Sequence, residues 1–511
     1  MADEIELKLA LPETAQPLLL RHPLLKAATA RRRDQLLNIY YDTPGRDLRR
    51  RGIALRLRRQ GRLWLQTVKC AGTGGGGLTA RPEWETPYGG AFDFSAVDDD
   101  DVRGWLERGK VRNRLLPLFE TSFRRATWSF EAAGGGRVLL MLDRGWIAAA
   151  GRREAISEVE IESAGAAVAD LFDLARRLAR RVPLAPAVLS KAERGYRLYQ
   201  GMAPTPEKAA AVPLTPAASP LTAFRAIAAA CLEQIAANHP GATASSDPEF
   251  IHQLRVATRR LRACLRIFAP LLPPELLAEI LPALRDLMGP LGHARDLDVL
   301  LAEIVAPVTG ALPGEPRLAA LAGVVTDRRY AARGVAVQTL QATHYGQLLL
   351  RIAASLHGTA FADDEAPGAL LDFAGGRLRR LGRRVRRLAE AARMEEPASL
   401  HALRIRVKRL RYALEFFSSL LDSAAGRRRA LRLAAVQDTL GQLNDLANAG
   451  RLLMECAGSD LRLREAVTLV GGWHGPRHSQ LMAQVPAMLD ELRRLKVPPL
   501  ASSAGNLTER K

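Results

Sequence analysis

Cysteine is scarce in this chain and aromatic side chains are few. The four cysteines in 511 residues, Cys70, Cys231, Cys264 and Cys456, are far apart and form no paired motif, which points away from a disulfide framework or a zinc ribbon and fits a reducing cytoplasm. No uninterrupted apolar run reaches the length of a bilayer crossing. The acidic start Met1-Ala2-Asp3-Glu4 lacks the basic region and apolar core of a signal peptide. Aromatics make up 5% of the chain, leaving few platforms on which nucleic-acid bases would stack.

Positive charge is what the chain has in excess. Its 74 Lys and Arg against 54 Asp and Glu give a formal charge of +20. Most of it is arginine, whose planar fork of donors matches phosphate and carboxylate oxygens. A polyanionic partner is expected: nucleic acid, a membrane surface or a phosphate polymer. With 48% hydrophobic residues over this length, two or more domains with their own cores are expected.

The first charged stretch is inverted relative to an ordinary strand. Glu4-Ile5-Glu6-Leu7-Lys8-Leu9 puts two carboxylates and an ammonium on one face and three aliphatics on the other. A second acidic comb follows far downstream as Glu158-Val159-Glu160-Ile161-Glu162. Carboxylates on neighbouring strands repel one another unless a cation lies between them, and oxygen ligands favour magnesium or manganese. Cations recur at strand spacing as Arg56, Arg58, Lys69, Arg81 and Arg124, with Glu83, Glu85 and Asp143 among them. Strands that turn charge to one side and aliphatics to the other enclose a polar lumen when their apolar faces pack outward against helices. The glycine run from Gly72 to Gly77 lacks the Gly-Lys-Ser/Thr ending of a phosphate loop and reads as a flexible hairpin connection.

A Pro-, Thr- and Ala-rich linker is expected over 203–219, between a strand-rich domain at 1–202 and a helical domain at 220–497, with 498–511 as a tail. The helical part contains an internal repeat. Ile251-His252-Gln253-Leu254-Arg255 returns 149 residues later as Leu400-His401-Ala402-Leu403-Arg404. The same offset relates Leu261-Arg262 to Leu410-Arg411, Phe268 to Phe417 and Asp296 to Asp445, which predicts two copies of one helical bundle. Each copy carries a basic stripe beside its apolar one: His252, Arg255, Arg259, Arg262 and Arg266, then His401, Arg404, Lys408 and Arg411, where Glu415 ends the row. Like charges three and four apart weaken a free helix, so a sustained row suggests an anion laid along it. The arginines from Arg377 to Arg387 thicken the same field. His474 and His478 have zinc-like spacing, but Pro476 between them is expected to break the helix that would align them.

Glu4, Glu6 and Lys8 resemble the ExExK signature of the CYTH (triphosphate tunnel metalloenzyme) superfamily, and the ordered cations and the second comb follow in its order. That resemblance implies an α+β protein whose N-terminal domain is an eight-stranded antiparallel tunnel with flanking helices. It implies divalent metal, Mg2+ or Mn2+, on Glu4, Glu6, Glu158, Glu160 and Glu162. It also implies a catalytic set of Glu4, Glu6 and Lys8, and triphosphate held by Lys8, Arg56, Arg58, Lys69, Arg81 and Arg124. The helical half is similar to CHAD domains, two repeated bundles associated with polyphosphate. There the match rests on His252, Arg255, Arg259, Arg260 and Arg262 and on His401, Arg404, Lys408, Arg409 and Arg411. The tandem arrangement looks most like the bacterial inorganic triphosphatases, which cleave triphosphate to pyrophosphate and phosphate. Family members also include adenylate cyclases and thiamine triphosphatases. The expected setting is cytoplasmic, in contact with polyphosphate granules. A non-catalytic polyphosphate-binding protein is the alternative, and a nucleic-acid partner is less favoured.

Overall fold

The computed structural model describes residues 4–358, 369–394, 396–421 and 424–500. These fall into two compact units, one of Met1–Glu207 with Leu232–Ser245 and Leu340–Ala360, the other of Lys208–Cys231, Ser246–Thr339 and Phe361–Lys511. The first unit thus includes two stretches beyond residue 219, because periodicity reveals an element's type but not the body it packs on. From residue 501 onward the expected tail lies outside the described residues. Among the described residues, no helix is long and apolar enough to cross a membrane.

The first unit is built on one antiparallel sheet. Its strands are β1 (Glu4–Ala10), β2 (Ala30–Asp42), β3 (Ala54–Gln60), β4 (Leu63–Lys69), β5 (Thr73–Gly75), β6 (Leu78–Arg81), β7 (Glu83–Pro87), β8 (Leu116–Glu131), β9 (Arg137–Ala149), β10 (Arg152–Ala164) and β11 (Ala185–Pro186). The order is β5-β6-β1-β10-β9-β8-β2-β3-β4-β7, with β11 on β1. β6 pairs with β1 and β7 with β4, and Pro82 alone separates them. Proline has no N–H to give a ladder, so it divides one continuous strand into two while that strand ties both flanks of the curled sheet together. Counting β6 and β7 as one and setting aside the short β5 and β11 leaves the eight strands of the expected tunnel.

The inverted alternation decides what packs where. Leu7, Leu9, Val159 and Ile161 are fully buried on the outer face of the curl. Helix α1 (Val168–Ala179) lays Leu171, Leu174, Ala175 and Leu178 toward the protein interior at helical spacing. Helix α2 (Lys191–Tyr199) begins at a capping box in which Ser190 and Glu193 bond each other's backbone N–H. Fully buried Asp42 fixes its far end, accepting from the Tyr196 hydroxyl (2.7 Å) and from the amides of Leu48 and Arg49. The glycine run is the β5–β6 hairpin connection, with the Gly77 carbonyl accepting from the Lys8 amide at 2.9 Å.

The second unit carries the repeat. Helix α3 (Pro248–Ile267) has its counterpart 149 residues later, end for end, in a helix over Pro397–Phe416, and the 3-10 turns Ala269–Leu271 and Ser418–Leu420 keep the same offset. Between them run, among others, α4 (Pro274–Val299) and α5 (Ala369–Ala391); after α5 come α6 (Pro397–Phe416), α7 (Ala424–Ala457), which overlaps α4 at the same offset, and α8 (Leu461–Arg493). Phe268 and Phe417, equivalent in the two copies and both fully buried, touch with ring centroids 5.9 Å apart. The two copies therefore meet through equivalent residues. α8 passes through Pro476 unbroken, so the expected break does not occur. His474 is buried with Nε2 2.9 Å from the Ile304 carbonyl, whereas His478 is exposed.

Gly145 on β9 faces Phe123 of β8, and a Cβ there would lie 2.1 Å from the Ser122 carbonyl oxygen. Gly145→Ala is expected to destabilise the sheet unit by about 2 kcal/mol or more. The check is the urea midpoint, and an unchanged midpoint would show that the two strands are not this close.

Candidate functional site

The lumen of the curled sheet is a cavity of about 720 Å³. Alternate residues of β1 and β10 reach it in register, with Glu6 opposite Glu162 and Lys8 opposite Glu160. β3 supplies Arg56 and Arg58, β4 Lys69, β6 Arg81 and β7 Glu83 and Glu85. Of the sequence-predicted residues, Glu4, Glu6, Lys8, Arg56, Arg58, Lys69, Arg81, Glu160 and Glu162 meet in this one cavity.

Two expected members are elsewhere. Arg124 is exposed on the outer face, and Arg125 takes the inward position. The adjacent arginines sit on opposite faces of β8, and buried Phe123, two residues from Arg125, fixes which one points in. Glu158 lies behind the cavity wall, where Lys191, Arg194 (3.1 Å) and Lys8 (3.7 Å) hold its carboxylate. The pattern gave no sign of Lys191. Its ammonium enters from the capped start of α2 and also lies 2.6 Å from Asp143 and 2.9 Å from Glu160. Only the Ser-x-x-Glu cap at Ser190 marks that position in the sequence.

Nearly every charge inside is paired. Lys69 bridges Glu4 (2.7 Å) and Glu83 (2.8 Å), and Arg81 bridges Glu4 (2.9 Å) and Glu6 (2.7 Å). Arg125 forks onto Asp143 at 2.8 and 2.7 Å and reaches Glu160 as well. Burial alone would pull the Lys8 ammonium down, but Glu160, Glu158 and Glu6 outweigh it and hold its pKa above the ordinary value. Burial likewise opposes ionisation of Glu160, yet Lys191, Lys8 and Arg125 keep it well below the usual carboxylate range. Arg58 goes the other way, pushed down to about 10 by burial and by Arg56 and Arg125.

Glu162 is the exception. Burial and the nearby Glu4 push its carboxyl up to about 7, against a weaker pull from Lys69. A carboxyl raised beside other carboxylates is what a hard divalent cation would relieve. Glu4, Glu6 and Glu162 lie on the cavity side, although the three do not bring their oxygens within 4.8 Å of one another. Deeper in, Asp143, Glu158 and Glu160 each offer an oxygen within 4.8 Å of the others, and there Lys191 already supplies the cation. The whole lining balances: eight Lys and Arg face eight Glu.

The helical unit holds a second cavity, of about 1020 Å³, between α3 and α4 of one copy and α6 and α7 of the other. His252, Arg255, Arg259, Arg262, His401, Arg404, Lys408, Arg409 and Arg411 line it. Arg260 does not: it is buried, paired with Glu415 and set 5.2 Å over the Phe416 ring, a structural position rather than a lining one. Repeat-equivalent pairs brace the wall, Arg255 with Asp296 (3.5 Å) and Arg404 with Asp445 (3.9 Å). His401 Nδ1 meets Asn444 Oδ1 at 3.0 Å. Nine Lys and Arg face four Asp and Glu here. The excess shows in the titration of its members. Burial with Arg259 and Arg404 pushes Lys408 down to about 7, and burial with Arg295 pushes His252 down to about 4.

The family model of the CYTH domain matches residues 2–196, and that of the CHAD domain matches residues 226–454. The chain is similar to a Haemophilus influenzae protein named inorganic triphosphatase, 31% identical over 201 residues. That match takes in 39% of this chain and 55% of the relative, so it spans about half the relative's length. It is also similar to the crystal structure of the CHAD domain from the plant Ricinus communis, at 35% identity and a TM-score of 0.51, over 58% of this chain and 99% of that one.

Glu162 gives a pH signature in metal-free protein. Its folded pKa lies above the ordinary value of 4.5, so between about pH 4.5 and 7 the folded state keeps a proton that the unfolded state has released, and stability falls as pH rises across that window. Glu162→Gln is expected to flatten this part of the thermal stability profile. Mg2+ or Mn2+ added at pH 8 should raise the melting temperature of the parent protein more than that of the variant. Identical profiles and identical metal responses would contradict the placement.

Proposed function

We propose that this chain, which joins a CYTH domain to a CHAD domain, is a metal-dependent triphosphatase that cleaves inorganic triphosphate to pyrophosphate and phosphate in its tunnel, and that its helical unit binds polyphosphate. The observation that carries the first half is the convergence of both acidic combs with the tunnel cations on one cavity, leaving Glu162 without its share of positive charge.

Charge balance explains why the tunnel needs a metal. A triphosphate entering a lining of eight cations and eight carboxylates gains little net attraction, since Arg56, Arg58, Arg81 and Arg125 already have acidic partners. A divalent ion held by Glu4, Glu6 and Glu162 would supply positive charge and Lewis acidity toward the phosphoryl oxygens. Arg56, Arg58, Lys69, Arg81 and Arg125 then exchange part of their carboxylate contacts for phosphate oxygens and hold the chain extended. Lys8, kept protonated by its three glutamates, holds a positive charge beside the reacting phosphoryl group. Water attacks one terminal phosphorus, the bond from that phosphorus to its bridging oxygen breaks with its electron pair leaving on pyrophosphate, and the protons of the water stay on orthophosphate or pass to solvent.

The helical cavity differs in sign. With nine cations against four carboxylates, it attracts a polyanion without help from a metal. The likeness to the Ricinus communis CHAD domain supports the reading of this unit as a CHAD fold, and the cavity's poverty in aromatic side chains favours an inorganic phosphate chain over a nucleic acid.

Phosphate release from tripolyphosphate with Mg2+ tests the tunnel, and polyphosphate binding in EDTA tests the helical unit. Glu6→Ala and Arg125→Ala should each lower kcat/KM by roughly 100-fold, while Arg124→Ala stays near the parent value. In EDTA hydrolysis should stop, yet long-chain polyphosphate should still bind. Full activity in Glu6→Ala or in EDTA would contradict the tunnel assignment, and loss of polyphosphate binding in EDTA would contradict the helical one.

A further inference from the structure

The internal repeat makes the helical unit pseudo-symmetric, and one pair of positions breaks the symmetry in charge. Arg260 of the first copy is paired with Glu415 of the second. Moved by the 149-residue offset, Arg260 becomes Arg409 and Glu415 corresponds to Arg266. Where symmetry would set a second ion pair, the chain therefore sets two arginines. Both line the main cavity, and both also line a smaller one of about 230 Å³ whose remaining cations are Arg377, Arg380 and Arg384 of α5.

This smaller cavity has five guanidinium groups and, among the described residues, no carboxylate in its lining. Arg377 is partly committed, donating to the Arg266 carbonyl at 3.0 Å. Arg380 and Arg384 are four apart on the same helix face, and the row from Arg377 to Arg384 runs about 10 Å along the axis. The crowding is felt electrically. Arg409 is pushed down to about 10 by burial and then by Arg406, Arg266, Arg384 and Arg262, and Arg377 is lowered by burial and by Arg380 and Arg384. Clustered like charges that lack an internal counterion are stabilised by an anion from outside.

We propose that Arg266, Arg409, Arg380 and Arg384 form a second anion seat, continuous with the main cavity on one side only, that takes the part of an inorganic phosphate chain too long for the main cavity. The seat rests on the reading of the helical unit as a polyphosphate binder. It adds to that reading a direction, because the symmetric position on the other side is closed by the Arg260–Glu415 pair. Short chains fill the main cavity alone, and long chains gain the extra contacts.

The test measures binding of tripolyphosphate and of long-chain polyphosphate to the full chain in EDTA. In the double variant Arg380→Gln/Arg384→Gln, which leaves the main cavity untouched, affinity for the long chain should fall about five- to tenfold and affinity for tripolyphosphate should stay unchanged. Arg266→Glu, which installs the symmetric ion pair, should fold with no loss of melting temperature and also lose long-chain affinity. A double variant that keeps its long-chain affinity, or loses both ligands equally, overturns the seat alone. Parent protein that binds neither ligand in EDTA overturns the polyphosphate reading and the seat with it. Single-stranded DNA that displaces long-chain polyphosphate from the parent but not from the double variant assigns the seat to nucleic acid and overturns the inorganic chain.

Discussion

Charge buried inside a curled sheet must be compensated, and in the first unit that requirement organises everything else. An isolated carboxylate or ammonium taken from water costs several kcal/mol even after relaxation. The tunnel therefore interleaves its signs, and Lys69, Arg81 and Lys191 each bridge two or three acids. Their partners come from strands far apart in sequence, so the network ties the curl together as well as lining it. A site compensated in this way is poised rather than saturated. The Glu162 carboxyl is left above its ordinary value beside Glu4, and one added cation can shift several partners toward a new anion.

The helical unit solves a different problem. Its two copies bring the same basic stripe to a shared cavity, where the excess of cations is met by only four acids. The paired Arg255–Asp296 and Arg404–Asp445 contacts brace that wall without neutralising it. The contrast in balance, neutral in the tunnel lining and strongly positive in the bundle cavity, is what separates the two proposed ligands, metal with triphosphate in the first and a bare polyanion in the second.

Much of this was legible in the sequence, because period-two alternation and a fixed repeat offset are local signals. The combs at Glu4–Lys8 and Glu158–Glu162 announced an interior face, and the offset of 149 is kept by helix ends as well as by residues. What could not be read was any choice settled by a distant partner. Arg124 and Arg125 are equivalent in a run until the face of Phe123 is known. Lys191 sits on a helix, outside any strand pattern, and reaches acids more than thirty residues earlier. Arg260 and Arg409 look alike in the repeat, and only Glu415 tells them apart. Pro476 reads as a break, yet α8 carries it within a helix of 33 residues.

The most direct test of the central claim is anomalous diffraction from crystals of the full chain grown with Mn2+ and a non-hydrolysable triphosphate analogue. The account predicts a manganese peak in the tunnel among Glu4, Glu6 and Glu162, with phosphate oxygens between it and Arg56, Arg81 and Arg125. A tunnel without manganese while the analogue is bound there, or manganese only outside the tunnel, would contradict it.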